Sequence, residues 1–250
     1  MPWPPWSMPA EPTLRQDLTR TLRKELWLDR TPGQQLAIQM AAVGAASFVL
    51  KRLVFGRRIA NSDSVTPRML RNKKLLRGYV TRVEDGDDFR LYHTPGFGWK
   101  SEFRTIPSEP EDLKDKTIHI RIAGIDAPES LAGREPQPGA IESLAWLKKR
   151  VEGKFVECQL LQRDQYGRIV ADVLLEPHRT SVGPMMLRAG RAVLYDQKDA
   201  VYGEDGVEQY KQAQEEAQRH KRGIWKNGTD IETPAQYKRR VRGAQAKEEE

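Results

Sequence analysis

Residues 117–129 read Thr117-Ile-His-Ile-Arg121-Ile-Ala-Gly-Ile-Asp126-Ala-Pro-Glu129. The alternation of isoleucine with polar residues up to Ala123 has the period of a half-buried strand, and Gly124 and Pro128 mark the turn after it. Strand-like runs of the same kind stand at Leu76–Val83 and Phe89–Tyr92 on one side and at Phe155–Leu161 and Ile169–Leu175 on the other. Five strands of this length suggest a small closed sheet.

Helical spacing appears at Ala140–Val151, where Ile141, Leu144, Leu147 and Val151 recur at i+3 and i+4 and Gly153 follows as a stop signal. Val182–Ala189, ending at Gly190, reads as a shorter helix, and Val207–Arg222, ending at Gly223, as a longer polar one. The expected fold class is α+β: an OB-fold, five-stranded β-barrel with three helices. A single transmembrane helix is expected ahead of it.

That last expectation comes from residues 36–50, LAIQMAAVGAASFVL, which carry no charge, followed by Lys51-Arg52 and then Leu53, Val54 and Phe55. A span needs about 20 residues, so the uncharged run alone is short, and Gln39 and Ser47 weaken it. Snorkelling of Lys51 and Arg52 would extend it to Phe55. The alternatives are an amphipathic or soluble helix packed on the domain and a cleaved signal peptide. If the segment spans, the basic cluster from Lys51 to Lys74 puts the following domain on the non-translocated side, in the cytosol or a matrix-like compartment. The chain thus divides into a tail (1–33), a membrane segment (34–56), a basic linker (57–74), the folded domain (75–226) and a charged, solvated C-terminal tail (227–250). The net charge of +7 and a pI near 9.5 make a polyanion the expected partner, nucleic acid or an anionic membrane surface. One cysteine, Cys158, excludes an internal disulfide framework and a CxxC zinc site; in a strand-like run it reads as a buried thiol.

Asp87, Asp126 and Glu129 each sit at a turn beside a strand, where a side chain is fixed yet reaches solvent. Two aspartates from separate strands suit a hard cation that takes several oxygen ligands, and a nearby glutamate suits proton removal from water. Taken singly, Asp85-Gly-Asp87 and Asp126-Ala-Pro-Glu129 also read as ordinary turns. Arg121 and Arg168 singly read as surface arginines; beside the carboxylates they complete a hydrolytic set, because a planar guanidinium binds two phosphate oxygens at once. Tyr166 suits stacking on a base or packing on the barrel. His93, His119, His178 and His220 show no metal-ligand spacing among themselves. The stretch from His93 to Lys116, with Trp99 and Phe103, reads as an exposed loop that either touches substrate or is a passive insertion.

The order Val-x-Asp-Gly-Asp, Arg-Ile-x-Gly-Ile-Asp-Ala-Pro-Glu, Asp-x-Tyr-Gly-Arg and Gly-Ile-Trp between Leu76 and Trp225 resembles the staphylococcal nuclease family. The resemblance implies Asp87 and Asp126 as calcium ligands, Glu129 as general base, and Arg121 and Arg168 as phosphate-binding arginines. The fold it implies, an OB-type barrel with three helices, agrees with the pattern read above. Residues 89–96 and the ending Glu232-Thr-Pro-x-x-Tyr-Lys238 are similar to a narrower group, the fungal probable endonucleases with a single-pass anchor, which implies a mitochondrial membrane. Asp88 stands where many members of the family have Thr, adding a carboxylate, and Ala127 where some have Thr. The expected function is calcium-dependent endonucleolytic cleavage of DNA and/or RNA, with no protein partner. The competing reading is a non-catalytic OB-type module that binds nucleic acid at a membrane.

Overall fold

The strands expected from alternation close on one another. In the computed structural model, which describes residues 31–96, 98–101, 104–130 and 135–248, they are β1 (Leu75–Asp85), β2 (Asp88–His93), β3 (Ile118–Ile122), β4 (Ile125–Asp126), β5 (Phe155–Arg163), β6 (Ile169–Leu175), β7 (Thr180–Ser181) and β8 (Val193–Leu194). β1 pairs antiparallel with both β2 and β5, β2 with β3, and β5 with β6. The cylinder closes where β3 runs parallel to β6, with Ile120 opposite Ile169 and Arg121 opposite Val170. β1, β2, β3, β5 and β6 are therefore the five staves of an OB-like barrel. Its interior is filled by Val80, Phe89, Leu91, Ile118, Ile120, Val156, Cys158, Leu160 and Ile169, all buried. On β3 the two-residue period buries Ile118, Ile120 and Ile122 and leaves His119 and Arg121 half-buried on the outer face.

Seven α-helices are described: α1 (Pro32–Phe55), α2 (Pro67–Arg71), α3 (Pro110–Leu113), α4 (Ala140–Val151), α5 (Val182–Arg188), α6 (Gly206–Arg219) and α7 (Pro234–Glu248). α4 to α6 match the three expected helices to within a few residues. The buried face of α4 is Ala140, Ser143, Leu147 and Val151. Ile141, expected to face the core, is 67% exposed instead.

Two segments depart from expectation. The first is the membrane segment 34–56. It forms a helix, α1, but among the described residues no helix is long and apolar enough to cross a membrane. Gln34, Gln35, Gln39 and Ser47 and the Lys51-Arg52 pair interrupt what about 20 apolar residues would have to supply. The described residues up to Val54, which hold α1 except its last residue, belong to one compact unit, and those from Phe55 onward to a second. The tail expected at 1–33 lies outside the described residues as far as residue 30.

The second is the C-terminal segment, 227–250, which is no simple tail. It contains α7, on which Tyr237 and Val241, four residues apart, are buried. The helix begins with a reciprocal cap: Gln236 N donates to Thr233 Oγ1 (3.3 Å) while Thr233 N donates to Gln236 Oε1 (2.8 Å).

Candidate active site

β1 and β2 meet at the turn Asp85-Gly86-Asp87, and β3 runs through Gly124 into β4, which carries Asp126. Gly86 lets these two turns touch, since a Cβ on it would lie 2.7 Å from Ala127 Cβ. Asp87 and Asp126 are buried, 3% and 4% exposed, and both face Arg121. Arg121 Nη2 donates to Asp126 Oδ1 (3.1 Å) and lies 3.3 Å from Asp87 Oδ2. That Asp87 oxygen is buried and makes no hydrogen bond. Burial opposes the charge on Arg121, but Asp87 and Asp126 outweigh it and raise its pKa, so the guanidinium stays protonated.

The second guanidinium is held by a different pair. Arg168 Nε donates to Asp164 Oδ2 (2.7 Å) and Nη1 to Asp88 Oδ2 (3.1 Å). The turn that presents it is itself tied, because Tyr166 N and Arg168 N both donate to Asp164 Oδ1 (2.9 Å each). Tyr166 is 65% exposed, with the Arg168 guanidinium 5.5 Å from its ring centre. Glu129 is buried and follows Pro128; its backbone N–H donates to Gln137 Oε1 (3.1 Å).

All six residues singled out in the sequence, Asp87, Arg121, Asp126, Glu129, Tyr166 and Arg168, line one open cleft of about 820 Å³. Among the described residues of the 93–116 insertion, none lines the cleft. Trp99 instead donates to Pro95 O (2.9 Å) and packs edge-on against Tyr92. Phe103 lies outside the described residues.

The cleft also holds groups that spacing alone did not pick out. Asp85 is a further carboxylate, its pKa pushed up to about 6, chiefly by burial. Asp87 is pushed up to about 7 by burial, against the pull of Arg121 and with the repulsion of Asp126, Asp88 and Asp85. Tyr195, reached through β8, stands 5.4 Å from the Arg121 guanidinium and donates to Asp199 Oδ1 (2.9 Å). Lys238 comes from α7 and puts its ammonium 2.5 Å from Glu129 Oε1 and 3.5 Å from Asp126 Oδ1.

An excess of buried carboxylate with one Asp87 oxygen unsatisfied fits a divalent cation, with Asp87 and Asp126 as the charged ligands. Glu84, Asp88 and His119 form a second set whose donor atoms lie within 4.8 Å of one another, a cross-strand grouping invisible in histidine spacing. Asp88 Oδ2 there already accepts from Arg168 and lies 3.2 Å from His119 Nε2. A cation at either set would face a guanidinium, Arg168 at this one and Arg121 at Asp87 and Asp126.

A closed five-stranded barrel whose rim gathers carboxylates and two guanidiniums in one cleft defines a class, the staphylococcal-nuclease-type domains. A family model described as staphylococcal nuclease homologue matches residues 119–227. Over 262 residues the chain is 45% identical to the probable endonuclease LCL3 of Schizophyllum commune, covering 96% of this chain and 89% of that one. It is 41% identical to the protein of the same name from Sclerotinia sclerotiorum, covering 75% and 74%, and 40% identical to that of Candida albicans, covering 73% and 80%. The chain belongs to this family of staphylococcal nuclease homologues.

Proposed function

We propose that the chain is a calcium-dependent endonuclease that hydrolyses phosphodiester bonds of DNA and/or RNA. The observation that carries this reading is the convergence of Arg121 and Arg168 with Asp87, Asp126 and Glu129 in one open cleft of a basic protein. When bound by Asp87 and Asp126, calcium supplies Lewis-acid charge next to the scissile phosphate. Glu129, adjacent to that pair, takes the proton from the attacking water. Arg121 and Arg168 are aimed by carboxylates before substrate arrives, so their charge opposes the negative charge that grows on the phosphate oxygens without reorganisation during the reaction. Tyr166, exposed beside Arg168, offers a face for a base.

The deciding assay incubates the purified protein with single-stranded and duplex DNA and RNA, with calcium or with chelator. Internal cleavage that needs calcium is expected. Binding without cleavage in calcium would overturn the reading in favour of a binding module.

For location, we propose membrane association in mitochondria, supported by the resemblance to anchored endonucleases and by the basic cluster after α1. Crossing by α1 is not part of the proposal. At neutral pH and physiological salt the full-length protein should sediment with mitochondrial membranes and a form lacking residues 1–60 should stay in the supernatant; full-length protein in the supernatant would remove the membrane from the picture.

A further inference from the structure

α7 lines the cleft from beyond the stretch matched by the nuclease-homologue family model, which ends at residue 227. It delivers an ammonium to the residues that the metal and the water need. Lys238 Nζ is 2.5 Å from Glu129 Oε1 and 3.5 Å from Asp126 Oδ1, and the Asp126 oxygen it approaches also accepts from Arg121. We propose that Lys238 is a counter-cation built into the metal site, so that a divalent cation takes Asp126 only by displacing this ammonium, and that Lys238 thereby sets the cation concentration at which the site fills. The inference rests on reading Asp87 and Asp126 as metal ligands.

Three features make this more than a stray surface lysine. The helix is anchored independently of the ion pair: Tyr237 is 3% exposed and its hydroxyl donates to Glu135 O (2.7 Å), and Val241 is buried one turn on. Gln137 ties both ends of the contact. Its side chain accepts from Glu129 N and donates to Glu232 O (2.6 Å), just ahead of α7, while its backbone N–H donates to Glu129 O (2.9 Å). The ammonium is also held between two carboxylates, with oxygens of both Glu129 and Asp126 within 3.5 Å of it.

Charge then dictates the competition. Asp85, Asp87, Asp126 and Glu129 face Arg121 and Lys238, so without a metal the ammonium offsets part of the carboxylate excess. A cation arriving at Asp126 would stand a few ångströms from a like charge. At that range, in a partly desolvated cleft, like charges repel strongly, so coexistence is disfavoured. Lysine carries its charge on a flexible four-carbon stem and can swing away without moving the helix. The cleft that Lys238 lines leaves open space for that movement.

The test is calcium titration of the full-length protein by calorimetry without nucleic acid, for the wild type, Lys238→Met, Lys238→Arg and Asp126→Asn. Lys238→Met should bind calcium about 10-fold more tightly than wild type, a conservative share of that repulsion. Lys238→Arg, which keeps the charge, should stay at or below wild-type affinity. Unchanged or weaker binding by Lys238→Met, with wild type binding and Asp126→Asn not, would overturn the role of Lys238 and leave the metal site standing. No binding by wild type and Lys238→Met alike would overturn both. Should Lys238→Met melt well below wild type, Lys238→Gln takes its place with the same expected tightening and the same overturning result.

Discussion

Asp87 and Asp88 are neighbours in the chain and face different arginines. Asp87 lies by Arg121, has an oxygen without a hydrogen bond, and is pushed up to about 7 by burial and by the carboxylates around it. Burial of Asp88 works in the same direction, but hydrogen bonds and charge from His119 and Arg168 outweigh it and hold its carboxyl below the ordinary range. The difference lies in what completes each half of the cleft. Asp88 also has one oxygen, Oδ1, without a hydrogen bond, but its other oxygen meets both Arg168 and His119, and Asp164 meets Arg168, so that half is balanced by the protein's own cations. Asp87 and Asp126 share Arg121, Lys238 reaches Asp126, and Asp87 keeps more carboxylate than cation around it, the half that we propose a divalent cation completes.

The largest effect should come from breaking the unfinished half. Asp126→Asn replaces a charged ligand by a neutral amide oxygen, and calcium affinity should fall by at least about 100-fold. Calorimetry and cleavage at limiting calcium would measure this, with the melting curve confirming a folded protein. Unchanged cleavage would remove Asp126 from the site.

Arg121→Lys and Arg168→Lys probe both halves alike. Lysine cannot hold two phosphate oxygens in one plane, so turnover on a defined oligonucleotide at saturating calcium should fall about 100-fold, about 2.7 kcal/mol, with far less change in KM. If only KM rises, both arginines are binding residues and the transition-state role fails.

Asp88→Asn sharpens the contrast, since it loosens Arg168 without touching the cation. Removal of a charged hydrogen-bond partner is worth about 1.5 kcal/mol, so turnover should drop about 10-fold while calcium affinity stays as in wild type. A matching loss of calcium affinity would show that the halves are not separate.

The smallest effect concerns stability in chelator. Asp87 has a folded pKa near 7, above the unfolded 3.8, so between those values the folded state binds more protons than the unfolded one. The stability that Asp87 contributes is therefore fully present below about pH 4 and is lost as pH rises towards 7. A loss of about 1 kcal/mol corresponds to roughly 2–4 °C in Tm, and both calcium and Asp87→Asn should flatten it. A Tm that rises across that window in chelator would show that Asp87 is not the strained group.

Much of this cleft was legible because its residues stand at strand ends. Arg121 is readable as an outward residue of an Ile-x-Ile-x-Ile run, and Asp87, Asp126, Glu129 and Arg168 as polar residues in turns flanking such runs. Closure of the barrel was expected only from the number of strands, because the parallel pairing of β3 with β6 joins segments about 50 residues apart and leaves no local pattern. Asp85 and Asp88 were readable as turn residues, while their environments depend on cross-strand neighbours such as His119. The C-terminal helix was missed for a different reason. Its Lys and Arg content outweighed two signals that were present, the Thr233-Pro-x-Gln236 cap and the four-residue spacing of Tyr237 and Val241. Charge dominated the membrane segment in the opposite sense: absence of charge over residues 36–50 suggested a span, but length and polar content decide that question, and α1 falls short.

Gly86 has a consequence for how such a site changes over time or in the hands of an engineer. The turns that carry Asp87 and Asp126 are kept in register by the hydrogen atom of Gly86 resting against the methyl group of Ala127. The aperture between the two aspartates is thus gauged by steric contact one residue away from each, as a shim sets a gap. Enlarging either small residue would prise the carboxylates apart without altering a single charge, so the site can be retuned, or lost, through residues that never touch a cation.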